Sequence, residues 1–321
     1  MRTLFRVLLF AMLPAAALAA DPAAQYPSKP IRLLGQSVGS TADYLSRYLG
    51  RKLTERWGQP VVVDNRSGAG GTIAADVVAK ANPDGYTLLM GHAGTHVSAV
   101  SLYKNLPYDP IKDFAPITLV AKLVTVLVAH PSVPANDVKG LIAYAKQKGN
   151  LNYGSAGNGT ISHLTGELFN QVTGLKLQHV PYKGAGAALS GLLSGEVQIS
   201  FLSPITAHAQ LVSGRVKAYA VSSTTRFVAV PDIPSATEAG IPGMQAVLWF
   251  GLFAPAKTPA PIIAKLNQAV VEILNRSDVT AAILKRGGEV APSTPAELDA
   301  WVRSELKKWT PIIKAAGIKA G

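Results

Sequence analysis

The residues with the most direct chemical reading are Gly35-Gln36-Ser37-Val38-Gly39, a G-x-S-x-G run between a strand-like and a helical segment. In an α/β-hydrolase such an elbow presents a serine nucleophile. Too few residues precede it to hold the earlier strands and oxyanion loop of that fold. No later Asp-then-His pair stands out, the last histidine being His208. A serine hydrolase using Ser37 therefore stands only as an alternative. The other chemistry is anion binding. Ile31-Arg32-Leu33-Leu34 reads as a short buried strand, Gly35 to Ala42 is almost all small, and Leu45, Tyr48, Leu49, Leu53 and Trp57 recur at helical spacing. A helix Asp43–Trp57 starting at that loop turns free N–H groups and its positive dipole end toward Gln36, Ser37, Val38, Gly39, Ser40, Thr41 and Ala42.

A denser polar group follows later. Ser155, Asn158, Gly159, Thr160 and His163 offer hydroxyls, a glycine that admits close backbone approach, and an imidazole one turn into a helix. His92 and His96 have a spacing that could suggest metal, but no H-E-x-x-H frame or partnering carboxylate accompanies them, so no metal is expected. His92 and Ala93 instead belong to a second small loop after a strand. Gly68-x-Gly70-Gly71 lacks the full dinucleotide spacing and reads as a packing turn, so no cofactor is expected.

These loops need elements to hold them. Strand-like runs at Pro60–Val63, Tyr86–Met90, Asn152–Ser155, Leu177–Val180, Val197–Phe201 and Lys217–Val221 alternate with helical stretches at Thr72–Ala81, Asp137–Lys148 (capped by Asn136), Ile161–Val172 and Gly184–Leu193. Two long helices close the chain, about Ala260–Asn275 and Pro295–Ala316. Such alternation predicts α/β architecture with parallel sheets, whose ligands bind beyond the carboxyl ends of strands. Two apolar stretches, Ile117–Ala129 and Val247–Phe253, are long enough to pass between domains. They divide the chain into residues 26–122 plus 248–321 and residues 123–247. Two such domains would face their loops across one cleft and close on a small molecule.

The N-terminus reads as an export signal spanning residues 1–20: Arg2 and Arg6, an apolar stretch from Leu4 to Leu13, then Ala17-Leu18-Ala19. The chain has no cysteine, which removes disulfides, thiolate metal sites and cysteine nucleophiles, and an exported chain of this kind fits a bacterial periplasm. The net charge of +12 is spread along the 321 residues without basic runs or interleaved aromatics, which argues for attraction of small anions over nucleic acid.

The chain resembles the periplasmic solute receptors of tripartite tricarboxylate transporters, the Bug-type receptors. The residues that carry the likeness run in order: Tyr26-Pro27-x-Lys29-Pro30-Ile31-Arg32, Gly39 with Asp43, Gly58-Gln59-Pro60-Val61-Val62-Val63-x-Asn65-Arg66, Gly68-Ala69-Gly70-Gly71 and Pro83-Asp84-Gly85-Tyr86-Thr87-Leu88. Later come Tyr153-Gly154-Ser155-x-Gly157-x-Gly159-Thr160-x-x-His163-Leu164, Val180-Pro181-Tyr182-Lys183-Gly184, Pro231-Asp232-Ile233-Pro234 and Trp249-x-Gly251-Leu252. The resemblance implies a type II periplasmic-binding-protein fold with two α/β domains and two crossing strands. It implies capture of a small carboxylate-bearing solute without catalysis or cofactor. The partners would be permease subunits or, alternatively, a membrane sensor kinase, with the receptor itself a monomer. Carried onto this chain, the ligand loops are Gly35–Asp43, Ser155–His163 and the region around Ser203 to Thr206.

The first loop departs from the family's Pro-aromatic-x-Pro-Gly-Gly-x-x-Asp run. Gly35 and Gln36 take the first two places, Val38 replaces the second proline, and Ser40 replaces the second glycine. Leu202 stands where many relatives carry a polar or acidic residue. The N–H groups around Ser40, Thr41 and Ala42 are expected to hold a carboxylate. Gln36 and Ser40 would set its identity, and Asp43 would shape the loop without touching the ligand. Loss of the Thr160 hydroxyl is expected to weaken binding by about 1.5–3 kcal/mol.

Overall fold

The computed structural model describes residues 22–149, 151–315 and 317–318; the export-signal reading of residues 1–20 lies outside them. Two sheets organise the chain. The first contains β1 (Ile31–Gly35), β2 (Val61–Asn65), β3 (Thr87–His92), β4 (Phe114–Val124), β10 (Val247–Pro255) and β11 (Glu289–Val290), in the order β11-β4-β10-β3-β1-β2. Its β1 pairs parallel with β2 and β3, while β10 runs antiparallel to β3 and β4. The second sheet contains β5 (Val126–Ala129), β6 (Asn152–Ser155), β7 (Gln178–Pro181), β8 (Ile199–Leu202) and β9 (Lys217–Val221), in the order β7-β6-β8-β5-β9. The architecture is α/β in the type II periplasmic-binding-protein manner.

Helices cover both sheets. Around the first are α1 (Thr41–Trp57), α2 (Thr72–Ala79), the short α3 (Ala99–Leu102), α8 (Ala260–Leu274), α9 (Ser277–Lys285) and α10 (Pro295–Ala315). Around the second are α4 (Val138–Lys148), α5 (Ile161–Thr173), α6 (Ala185–Leu193) and α7 (Pro204–Val212). None of the described helices is long and apolar enough to cross a membrane. The first lobe buries Ile31, Leu33, Leu45, Leu49, Leu53, Trp249 and Trp309 in one cluster. The second sheet separates two smaller clusters, one around Tyr153, Phe169 and Phe201, the other around Val126, Leu192 and Val197. Ile161, Leu164 and Ile205 from the second lobe pack into the first lobe's cluster, so the lobes stand in contact.

Several elements differ from the sequence expectation. α1 begins two residues earlier, at Thr41, because Ser40 caps it by accepting the Asp43 N–H at 3.2 Å. α4 is capped by Asp137, not Asn136: the Asp137 carboxylate accepts from Gly140 N at 2.6 Å. β2, where the sequence reads Pro60–Val63 as a buried strand, is an edge strand with Val62 54 % exposed. The loop expected after Met90 is strand as far as His92, then a π-helical turn from Gly94 to Ser98. α9 and β11 have no counterpart in the sequence reading; α9 buries only Val279 and Ile283, too narrow a stripe to stand out.

The chain passes between sheets at Thr125, which separates β4 from β5, and again at Ala246, just before β10. One side chain holds both passages. Ser222 Oγ accepts the Thr125 N–H at 2.9 Å and donates to Ala246 O at 2.7 Å. The Ser222 N–H donates to Thr125 O at 2.9 Å, and Ala246 N–H donates to Ser222 O at 3.1 Å.

Candidate functional site

A cavity of about 50 Å³ lies between the lobes, room for on the order of four waters. Its first-lobe wall comes from the start of α1 (Ser40, Thr41, Ala42), from Gln36, and from the face of the sheet. Phe250 stands opposite His92 across the β10–β3 ladder, and Leu248 lies two residues along β10 on the same face. The second-lobe wall comes from the starts of α5 (Thr160, Ile161, Ser162), α6 (Ala185) and α7 (Ser203, Thr206), with Ala156, Phe201 and Leu202. Thr125 completes it at the crossing.

Four helices thus begin at one small space. The first N–H groups of a helix have no acceptor inside it, and the aligned peptides make that end positive. Among the described residues no Lys, Arg, Asp or Glu lines the cavity. Its polarity is backbone, hydroxyl, one amide and one imidazole. Thr41 Oγ1 bonds Ser203 Oγ, and lies 3.2 Å from Thr206 Oγ1, tying α1 to α7 across the lobes. Ser98 Oγ donates to Gly159 O across the other side. Two glycines permit this approach. A Cβ on Gly184 would stand 1.9 Å from Ser37 Oγ, and one on Gly159 would stand 2.0 Å from Leu102 Cδ1.

Outside the cavity, a surface depression of about 570 Å³ shares Ser40 and Thr206 with it and is lined by Gly39, Arg47, Arg51, His208 and Arg286, among others. Burial and the neighbouring Arg286 and Lys285 charges lower the His208 pKa. The approach is therefore positive while the cavity itself carries no charged side chain.

The expected site residues divide into those that line the cavity and those that hold its walls. Gln36, Ser40, Thr41, Ala42, His92, Thr160, Ser203 and Thr206 line it. Ser37 is buried against Gly184, Val38 is 69 % exposed on the rim, and Gly39 faces the outer depression. Ala93 is buried behind His92. Asn158 presents its backbone oxygen to Gly70 of the first lobe. Asp43 Oδ2 accepts the Gly39 N–H at 3.0 Å and Oδ1 accepts from Arg47 Nε at 2.8 Å, so both oxygens are engaged within the loop and helix.

Ser155 and His163, expected at the mouth, stand behind the wall. Ser155 Oγ is 2.6 Å from His179 Nε2, and Gly157 N–H donates to the same hydroxyl at 3.1 Å. His163 Nδ1 accepts the Gly159 N–H at 3.1 Å, and its ring stacks on His179 with centroids 3.7 Å apart. Burial and the neighbouring ring lower the His163 pKa to about 3; burial brings His179 to about 4. These side chains shape the Gly157–Gly159 turn. Thr160 also spends its proton locally: Oγ1 donates to Gly157 O at 2.7 Å and lies 2.9 Å from Ser162 Oγ, which accepts from Ala156 N at 3.0 Å.

His92 and His96 diverge. His96 stacks on Phe253 at 4.0 Å between centroids, away from the cavity, and its Nδ1 is 2.8 Å from Thr95 Oγ1. Among the described residues no set of three metal-ligating side chains converges. The sequence reading missed Thr125, Leu248, Phe250, Phe201 and Ala185 as lining residues; Ala156, Ile161 and Ser162 fall inside the expected Ser155–His163 loop without being singled out, and Leu202 was marked only as a departure from relatives. For Leu248 and Phe250 a signal existed, the alternation of side chains along Val247–Phe253.

Comparison with known proteins identifies the fold and the family. A protein of R. palustris solved with adipate superposes with a TM-score of 0.89 at 34% identity, covering 91% of this chain and 99% of that one. MatC from Rhodopseudomonas palustris, with bound malate, gives a TM-score of 0.85 at 36% identity, covering 90% of this chain and 100% of that one. The protein BugT of Bordetella pertussis is 33% identical over 297 residues, 92% of this chain and 91% of its own length. Residues 45–318 match the profile of the tripartite tricarboxylate transporter family receptor. With likeness of this extent in sequence and fold, the chain belongs to the tripartite tricarboxylate transporter receptor family, a family of solute-binding proteins.

Proposed function

We propose that this chain is a periplasmic receptor that closes two domains, residues 26–122 plus 248–321 and residues 123–247, on a small carboxylate-bearing metabolite. The observation that carries the reading is the convergence of four helix starts on a cavity free of charged side chains. Backbone N–H groups at α1 and α5 take the carboxylate, because they are fixed in place and unpaired inside their helices. The hydroxyls of Thr41, Ser203 and Thr206 join the lobes once they meet. The relatives solved with adipate and malate support an organic acid as the ligand class. Location in the periplasm rests on the Arg2–Ala19 export pattern together with family membership.

The loaded receptor delivers to the permease subunits of a tripartite tricarboxylate-type transporter, the role that gives the family its description. A hydrolytic role for Ser37 lacks support, since no histidine is hydrogen-bonded to it among the described residues and its side chain packs on Gly184. The test is a thermal-shift screen of the purified mature protein against organic acids, followed by calorimetry. A true ligand at 100 times its Kd adds about 2.7 kcal/mol to the unfolding free energy. A screen in which no organic acid raises the Tm would remove this reading.

A further inference from the structure

The face of α1 turned away from the core carries a pattern that the cavity does not use. Tyr44, Arg47, Tyr48 and Arg51 recur at i, i+3, i+4 and i+7, which sets two tyrosines and two arginines in one stripe. Leu45, Leu49 and Leu53 bury the opposite face. The two tyrosine rings stack with centroids 6.0 Å apart. The Arg51 guanidinium lies 5.3 Å over the Tyr48 ring, and that of Arg286, from the turn after α9, lies 5.5 Å over the Tyr44 ring.

These side chains line one wall of the outer depression of about 570 Å³; the other wall is α7 of the second lobe, through Thr206, His208 and Ala209. The turn that carries Arg286 is pressed against α7. A Cβ on Gly287 would stand 2.5 Å from Pro204 Cβ, and one on Gly288 would stand 2.8 Å from Ile205 Cδ1. The recess is thus built by both lobes. Val38, next to Gly39 in the chain, and Val212, one turn beyond His208 on α7, are 69 % and 77 % exposed. The charge of the recess is not spent internally. Among the described residues Asp43 is the one acidic side chain lining it, and its oxygens are engaged by Gly39 and Arg47. Arg286 makes no ion pair among the described residues. Arg51 reaches only Glu55, at 3.8 Å, with both side chains more than half exposed. A guanidinium laid flat on a ring keeps its N–H edge free for a carboxylate, and the ring holds it in place beforehand.

We propose that this recess is a docking face for an acidic segment of a protein partner, whose Asp or Glu carboxylates take the free edges of Arg51 and Arg286 while its apolar side chains cover Tyr44 and Tyr48. This rests on the receptor reading above, under which a membrane protein meets the loaded chain, and it says where and by what chemistry they meet. Tyrosine and arginine are the side chains that most often anchor protein interfaces. A free small anion would meet exposed arginines in open solvent, where a single ion pair contributes little, whereas a segment gathers several such contacts at once. A bilayer presents a plane, and a plane does not enter a recess walled on two sides. Because each lobe supplies one wall, the face is whole only while α1 and α7 stand together.

The experiment measures, by fluorescence anisotropy, binding of two short labelled peptides to the mature chain, one built from Glu, Gly and Leu and one with Lys in place of Glu. Only the acidic peptide should bind, and more weakly as salt rises. Arg51→Gln together with Arg286→Gln should weaken it by about fivefold or more. Tyr44→Leu together with Tyr48→Leu keeps the charges but removes the rings, and should weaken it by about threefold. Lys139→Gln together with Lys146→Gln removes the same charge from exposed positions on α4, and should change it by less than about twofold. No binding of the acidic peptide, or equal weakening by the arginine and lysine pairs, would overturn the inference. So would sedimentation with phosphatidylglycerol–phosphatidylethanolamine vesicles that depends on Arg51 and Arg286, which assigns the recess to lipid. Displacement of the peptide by free glutamate at equal carboxylate concentration would assign it to a small anion, and overturn the inference likewise. The thermal-shift screen with organic acids is independent of these results. A raised Tm beside any of them leaves the receptor reading standing, and a silent screen removes both.

Discussion

His92 and His163 are nearly the same device on opposite lobes. Each is buried, each is held neutral with a lowered pKa, and each accepts a glycine N–H at Nδ1, from Gly94 and Gly159 respectively. They differ in the other face of the ring. His163 stacks on His179, with its Nε2 3.9 Å from a Glu167 oxygen. The Nε2 of His92 has no hydrogen-bond partner, and His92 lines the cavity. An imidazole that only braces a turn and one that lines a cavity look alike until both nitrogens are followed.

The contrast breaks most visibly at His163→Ala. Truncating this ring leaves the Gly159 N–H without its acceptor and opens space against His179, a loss of about 3 kcal/mol in unfolding free energy. Chemical denaturation measures it. If His163 instead held ligand, stability would change little and affinity would fall.

Acid should act on both histidines together, through stability. A ring whose folded pKa lies below its unfolded value of 6.5 binds fewer protons folded than unfolded, so ∂ΔG/∂pH is positive and acid destabilises. The contribution is fully present above pH 6.5 and is lost as pH falls toward about 4 for His92 and His179 and about 3 for His96 and His163. Each ring adds up to about 1.4 kcal/mol per pH unit in that window. Denaturant midpoints measured from pH 7 to pH 4 check the slope. His163→Ala should flatten it by one ring's share.

Thr160→Ala sharpens the same division on a smaller scale. Its proton goes to Gly157 O, so the change should cost about 1 kcal/mol of stability, with less effect on ligand affinity than a direct donor would show. Calorimetry beside denaturation separates the two. Smallest is Asp43→Asn, which keeps an acceptor for Gly39 but removes an ion pair whose Arg47 side chain is 55 % exposed. About 0.3–0.5 kcal/mol is expected from denaturant titration, and proportionately less at high salt.

Much of this was legible in the chain itself. The Lys217–Val221 strand, the small loop before α1 and the Thr160 turn follow from local pattern: β-branched and apolar runs, glycines, and hydroxyls at helix starts. What local pattern could not give was direction. Whether His163 faces the cleft depends on a ring, His179, that comes from the next strand and takes up the space beside it. Phe250 joins the site because β10 returns beside β3 after a long excursion through the other lobe, in a register that sets it opposite His92. Thr125 sits in an apolar run, between Leu123-Val124 and Val126-Leu127. Its importance appears only where β4 ends and β5 begins.

Were the two halves to swing apart, the Ser222 knot at that point would set how they travel. Two bodies linked by separate strands can twist, shear and slide against one another. Here a single hydroxyl and its backbone fasten Thr125 and Ala246 together, so both links would pivot from nearly one place. The remaining freedom would resemble that of a door on one hinge pin. A groove opened by such a swing widens most at its lips and least beside the pin, where Thr125 stands. Thr125 would thus keep nearly the same station through the whole swing, a fixed landmark against which an incoming solute is aligned before the outer loops arrive.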